Sequence, residues 1–293
     1  MSAIGRAFRQ VVKTVLSADR IEGTGARISR SIGTRRHRSH DPFLLLDDFK
    51  VSGREGFPDH PHRGLETITL MFEGVVQHED FAGHVGRIGP GDLQFMNAGR
   101  GIVHTEMPVS EHASGLQLWV NLPRRAKMMP PSYHDLRATD IPHAKSVDGR
   151  TLVKVISGRS YGVEAKMHTV VPIYYLDVSM QPNATFYQEI PAGYNTMVYT
   201  LEGSAAFGSL PPSEPRTTLI FGSDGDHVRA TTSEAPARFV LLAGEPIGEP
   251  VAQQGLFVMN SKEELLQAIA DYEQGRNGFE MAHVWKSDIG NRK

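Results

Sequence analysis

Short segments rich in valine, isoleucine, phenylalanine, tyrosine and threonine recur along the whole chain. Strands are expected over residues 43–46, 66–72, 93–96, 101–106 and 116–120, and again over 152–156, 173–178, 196–201, 217–221 and 238–242. Between them lie turn clusters such as Gly89-Pro90-Gly91-Asp92, Asn97-Ala98-Gly99-Arg100-Gly101 and Ser223-Asp224-Gly225-Asp226. Glycine reaches positive φ and proline presets its own, so these clusters reverse the chain. Many short strands with regular turns read as an antiparallel sandwich or barrel. One helix stands out over 262–274. Ser261 and Glu264 form a capping box, Leu265, Leu266, Ile269 and Tyr272 fall near one face, and Gly275 suits the left-handed stop. At the other end Val11, Lys13 and Val15 alternate with Val12, Thr14 and Leu16, which reads as a strand. The same opening segment carries arginine and no acid before Asp19, so it also has the composition of a mitochondrial presequence; the strand is the preferred reading.

The 293 residues suit two domains at roughly 150 residues each. The stretch 123–149 opens RRAKMMPPSYHDL, alternates little and reads as an inter-domain connection, with similar strand content on either side. A net charge of -2 gives no field to gather nucleic acid or an anionic membrane. The absence of cysteine excludes disulfides, thiolate metal sites and cysteine nucleophiles. No run of about 18 apolar residues is present to span a membrane, and no signal-peptide apolar core is seen, so the expected location is cytoplasmic.

Of 13 histidines, six lie between His60 and His112. Within that window sit His60-Pro61-His62 and His104-Thr105-Glu106. On an extended segment residues i and i+2 share a face, so each tripeptide offers two ligands in one direction. Two such strands side by side would gather three imidazoles and one carboxylate, as inward-facing side chains of a small barrel do. Three nitrogens and one oxygen suit a borderline divalent ion: iron, manganese, cobalt, nickel, copper or zinc. Four ligands on an octahedral ion leave two positions for substrate or oxygen, which favours a catalytic site. The plainer reading of a lone His-x-His is a strand-packing pair; two pairs with equal spacing favour the metal.

The remaining titratable groups carry less. His78, Glu79 and Asp80 read as a solvated hairpin tip, and His84 and His112 as loop residues. Glu66 shares the parity of His62 and is either a carboxylate supporting a ligand or an ordinary strand residue. Arg35, Arg36 and Arg38 read as a solvated loop rather than a phosphate or nuclear-localisation patch. Gly158-Arg159-Ser160-Tyr161-Gly162 satisfies the nucleophile-elbow pattern, but a helix must follow, and residues 163–171 are β-branched and read as a strand.

At this point the chain resembles the pirin family. The segments GFPDHPHRGLETIT (56–69), HEDFAGHVGRIGPGDLQFMNAGRGIVHTEMP (78–108) and GLQLWVNLP (115–123) carry the likeness most specifically. EGTGARISRSIG (22–33), DPFLLLDDF (41–49), KMMPPSYHDL (127–136), VISGRSYGV (155–163) and FVMNSKEELLQAIADYEQGR (257–276) extend it over nearly the whole sequence. The resemblance implies an all-β bicupin: two antiparallel β-sandwich (jelly-roll) barrels plus the C-terminal helix. It implies a metal-binding cupin over 1–135 and a second cupin over 136–293 without metal ligands. One divalent metal per chain, usually iron, falls on His60, His62, His104 and Glu106. Some members cleave the flavonol quercetin with dioxygen and release carbon monoxide; others, in eukaryotes, are nuclear iron-binding co-regulators of transcription factors. Around His104 the general cupin spacing Pro-x-Gly-x-x-His gives way to Asn97-Ala98-Gly99 and a longer turn. The second half has His168 and His227 but no paired ligands.

The expected activity is therefore an iron-dependent dioxygenase acting on a planar polyphenol. Glu106 is the candidate base for its hydroxyl proton. The alternative is a redox-responsive co-regulator with a transcription-factor partner and a nuclear location. A planar aromatic ligand also calls for an apolar slot, with Phe43, Phe49, Met71, Phe72 and Phe95 as candidate walls.

Overall fold

The computed structural model describes residues 7–291. Its first twelve strands are β1 (Val11–Leu16), β2 (Ala18–Glu22), β3 (Ala26–Ile32), β4 (Phe43–Ser52), β5 (Phe57–His62), β6 (Leu65–Glu73), β7 (Val76–Asp80), β8 (Val85–Ile88), β9 (Leu93–Asn97), β10 (Ile102–Pro108), β11 (His112–Asn121) and β12 (Ser132–Leu136). The second half adds β13 (His143–Lys145), β14 (Thr151–Ser157), β15 (Arg159–Ser160), β16 (Val163–Glu164), β17 (Ile173–Met180), β18 (Thr185–Glu189), β19 (Asn195–Gly203), β20 (Ala206–Phe207), β21 (Thr217–Phe221), β22 (His227–Thr231), β23 (Ala237–Gly244), β24 (Ala252–Gln254) and β25 (Phe257–Met259), then helix α1 (Lys262–Glu273).

Two units emerge. The histidine-bearing unit comprises Ala18–Thr34, Phe43–Ala138 and the chain from Ile247 on. Its seven-stranded sheet runs β12-β9-β6-β11-β4-β3-β2, and a four-stranded sheet runs β5-β10-β7-β8. The second unit comprises the chain up to Ser17, Arg35–Pro42 and Thr139–Pro246. It holds the sheet β1-β21-β19-β23-β17-β14-β13 and the smaller sheet β18-β22-β20. All the sheet pairings are antiparallel, and the units are sandwiches of separate sheets rather than closed barrels.

These units are not the two consecutive stretches 1–135 and 136–293 that the sequence suggests. β1 pairs with β21 from the far part of the chain, with Lys13 opposite Ile220 and Leu16 opposite Thr217. The segment carrying α1 belongs with the histidine-bearing unit. The strand expected at the start of the chain is thus present, while the first six residues of the presequence reading lie outside the described ones.

Local chemistry explains most elements. In β6, LETITLMFE, β-branched and long apolar residues alternate with period two, and seven of its nine positions are buried. Ser261 accepts a hydrogen bond from the Glu264 amide while Glu264 reaches back to the Ser261 amide, so α1 starts where the capping box expects. The stretch 123–149 is more ordered than a linker, because β12 pairs with β9 and β13 with β14. Residues 159–164 form the two-stranded β15–β16 with Tyr161 and Gly162 at positive φ, which is turn geometry and no elbow. Only Val163–Glu164 of the strand expected over 163–171 forms.

Between the sheets of the second unit the core is aromatic and aliphatic. Phe239 meets Phe186 and Phe207 edge-on at 5.7 and 5.1 Å. Each such ring, fully buried, contributes about 1.5–3 kcal/mol. His168 is exposed, and His227 is bonded to Asp226 Oδ1 at 2.7 Å.

Candidate metal centre

β5 and β10 lie side by side with His104 opposite His60 and Ile102 opposite His62. β5 is an edge strand, so Pro58 and Pro61 cost no ladder bond on its open side. Gly64, at φ +81°, turns the chain from β5 into β6 so tightly that a Cβ would sit 1.9 Å from the Val258 carbonyl oxygen. Its amide bonds the Gly99 carbonyl, which ties the loop after His62 to the loop before His104.

The ligand atoms of His60, His62 and His104 all lie within 4.8 Å of one another. Their ring centroids are 4.3 Å (His60–His104), 4.9 Å (His60–His62) and 5.1 Å (His62–His104) apart. His60 Nδ1 stands 2.8 Å from the Pro58 carbonyl, so its N–H donates there and the lone pair falls on Nε2. His62 is bonded to the Leu256 backbone and its Nδ1 has no partner. Both ring nitrogens of His104 are buried without a partner. Burial holds the His60 imidazole below its ordinary value and His62 and His104 well below it; the neighbouring rings push the last two further down. Three neutral imidazoles with unspent nitrogens form a donor set that can hold a divalent metal.

Glu106 is adjacent but outside this group. Its carboxylate accepts from Thr69 Oγ1 and Gln117 Nε2 at 3.4 Å each. The ladder between β5 and β10 is irregular between His104 and Glu106, so Glu106 faces Phe57 rather than Pro58. Burial raises the Glu106 carboxyl above its ordinary value, opposed by His78 and the two hydrogen bonds. The structure thus brings three of the four expected ligands together and sets the fourth beside them.

The opposite wall comes from the seven-stranded sheet. Cross-strand register places Asp135, Gln94, Thr69, Gln117 and Asp47 in one rung and Tyr133, Met96, Thr67, Trp119 and Leu45 in the next. Directly paired residues share a face. The Trp119 ring meets His62 at 5.1 Å, and Tyr133 stacks on His78 at 5.7 Å and lies 6.5 Å from His104. This wall is more polar than the apolar slot expected. Phe49 and Met71 do lie in the sandwich interior, with Val51, Val76 and Ile88. Phe95, however, alternates with Gln94 and points from the other face.

His78, Glu79 and Asp80 are a buried strand rather than a solvated tip. His78 Nε2 meets Asp135 Oδ2 at 3.0 Å, Glu79 accepts from the Asp288 amide at 2.7 Å, and Asp80 takes the Ala82 and His84 amides and the His84 ring. Asp135 and the Asp288 amide, far along the chain, meet His78 and Glu79, while Asp80 is met by its near neighbours Ala82 and His84. The segment VQHED has no apolar–polar alternation, so its periodicity carried no signal for a buried strand. His84 and the Arg35–Arg38 loop are exposed or partly exposed as expected; His112 is the exposed first residue of β11.

Residues 25–120 match the pirin family model, and residues 175–278 match that of the pirin C-terminal cupin domain. The chain belongs to the pirin family. The human protein named Pirin is 48% identical over 289 residues, covering 97% of this chain and 99% of that one. Pirin-like protein 2 of Arabidopsis thaliana is 46% identical over 286 residues, covering 95% and 88%. Among solved structures, quercetin 2,3-dioxygenase from Acinetobacter baumannii aligns with a TM-score of 0.86 at 30% identity, covering 93% of this chain and 99% of that one. The fold is therefore the two-domain cupin fold of the pirins, and no helix among the described residues is long and apolar enough to cross a membrane.

Proposed function

We propose that the chain is a metal-dependent dioxygenase that cleaves a flavonol such as quercetin. One divalent iron would be held by His60, His62 and His104, with Glu106 as fourth ligand and base. The observation that carries this reading is the buried triad with unspent nitrogens, inside a sandwich whose facing wall presents Trp119, Tyr133 and polar side chains. The relative named quercetin 2,3-dioxygenase, alike over nearly its whole length, supports it.

Iron bound there supplies a Lewis acid for the substrate hydroxyl and a redox partner for dioxygen. The chain's own residues do the rest. Glu106, raised by burial and steadied by Thr69 and Gln117, receives the hydroxyl proton at a carboxylate oxygen. Trp119 and Tyr133 offer flat surfaces to a planar ring. The neutral histidines hold the metal and move no proton. A cytoplasmic location belongs to the same reading.

The test is Glu106→Gln, which keeps shape and a carbonyl oxygen but loses charge and basicity. Oxygen uptake with quercetin, at saturating iron, should fall further than iron occupancy does, whereas His62→Ala should lower both together. Full turnover of Glu106→Gln at matched occupancy assigns the proton to another acceptor.

A second reading is favoured by a different observation: identity to the human relative, 48%, exceeds identity to the bacterial quercetin dioxygenase, 30%. In it, the same iron site reports metal or redox state to a transcription-factor partner, in the nucleus, without turnover. Bound iron with no oxygen uptake favours this second reading.

A further inference from the structure

We propose that Gln94, assisted by Thr67 and Gln117, is a specificity-determining group that recognises a ligand carrying neighbouring hydroxyl and keto oxygens. The inference rests on the dioxygenase reading of the same site and names how its substrate is selected.

Gln94 is 1% exposed, and neither its Nε2 nor its Oε1 has a hydrogen-bond partner. Thr67 Oγ1 and Gln117 Oε1 are buried without partners as well. A buried carboxamide that no group of the chain bonds at either end costs free energy unless a partner from outside the chain meets it. Such groups are a small minority in folded proteins, and these three converge on the interior that holds the histidine triad.

Register fixes where these atoms point. Gln94 stands opposite Thr69 on β6, and Thr69 stands opposite Gln117 on β11. Thr69 and Gln117 both reach Glu106 on the facing sheet. Gln94 therefore faces the interior that Glu106 faces. Thr67 occupies the next rung, opposite Trp119, whose ring touches His62.

The chemistry of these groups selects the ligand class. A carboxamide offers one acceptor and two donors. A carboxylate or phosphate only accepts and would leave Oε1 unpaired; an ammonium only donates and would leave Nε2 unpaired. A hydroxyl beside a carbonyl satisfies both ends, and the Thr67 hydroxyl adapts to either. A site built to bond a substrate oxygen rejects analogues that lack it, because its own polar groups are then left unpaired.

The experiment uses the full chain, quercetin as probe and tryptophan fluorescence as the binding signal. Gln94→Met should bind quercetin about 10-fold more weakly, equivalent to about 1.4 kcal/mol. Its iron content should be unchanged. Without ligand it should melt at or above the temperature of the natural sequence, since an apolar chain of similar size removes an unpaired buried amide. Gln94→Glu, which keeps the shape but loses the donor, should weaken binding too. A lower melting temperature with unchanged quercetin affinity makes Gln94 a packing residue and overturns the proposal. Quercetin binding that depends on Gln94, without oxygen uptake, contradicts the dioxygenase reading alone. Uptake with an unchanged KM in Gln94→Met contradicts this inference alone, and failure of the natural sequence to bind quercetin overturns both.

Discussion

Replacing Asp271 by alanine should destabilise the histidine-bearing unit by about 3–5 kcal/mol, the usual cost of leaving a buried charge without its partner. Arg63 follows His62 directly, is 1% exposed, and pairs through Nη1 with Asp271 Oδ2 at 2.8 Å. Its Nε donates to the Arg100 carbonyl at 2.6 Å and its Nη2 to the Asn277 carbonyl at 2.7 Å, and the guanidinium lies 4.7 Å over the Phe279 ring. Asp271 on α1 also accepts from Gln267, Arg276 and Asn277. Burial works to raise its carboxyl, yet the bonds from Arg63, Gln267 and Asn277 hold it below its ordinary value. Alanine leaves the buried Arg63 charge without its carboxylate, while Gln267, Arg276 and Asn277 are exposed and can turn to water. Both tryptophans, Trp119 and Trp285, belong to this unit, so fluorescence-detected unfolding reads it selectively. At about 2–4 °C per kcal/mol the melting temperature should drop by roughly 6–20 °C. Arg63→Met with Asp271→Leu should recover most of the loss, because an apolar pair of similar volume carries no desolvation cost. A loss below about 1 kcal/mol for Asp271→Ala, or a double variant as unstable as the sum of the singles, would refute the reasoning.

Ser261→Ala should cost about 1 kcal/mol, because it removes the side-chain acceptor for the Glu264 amide; urea unfolding followed by circular dichroism checks this. His40, in the second unit, has its pKa lowered to about 4 by burial and by His37, against pulls from the Thr196 backbone and Asp41. Between pH 6.5 and about 4 the unfolded chain binds the proton and the folded one does not, so stability falls as pH falls through that window. The drop attributable to His40 is roughly 3 kcal/mol, from about 1.4 kcal/mol per pH unit, and should vanish in His40→Gln measured by denaturant titration across that range.

What the sequence made legible was local. His60 and His62, like His104 and Glu106, are spaced to share a strand face, and the capping box needs only residues 261 to 264. What it hid depends on distant pairings. β1 carries no mark that its partner is β21. Gln94, Thr67 and Tyr133 became part of the site only once register set them opposite Thr69, Trp119 and Met96. His78, Glu79 and Asp80 look solvated by type; Asp135 and the Asp288 amide explain how the strand buries the first two, and the Ala82 and His84 amides how it buries the third. The turn of Glu106 toward Thr69 and Gln117 follows from side chains on two other strands, which spacing along β10 cannot express.

Metal analysis of the purified chain, dialysed after loading with ferrous iron, tests the central claim most directly. Beside the natural sequence stands His104→Ala, which removes the imidazole whose two nitrogens have no other partner. One ion per chain in the natural sequence, and far less than one in the variant, is the predicted result. No retained ion, two ions per chain, or undiminished binding by His104→Ala would contradict a single centre built on His60, His62 and His104.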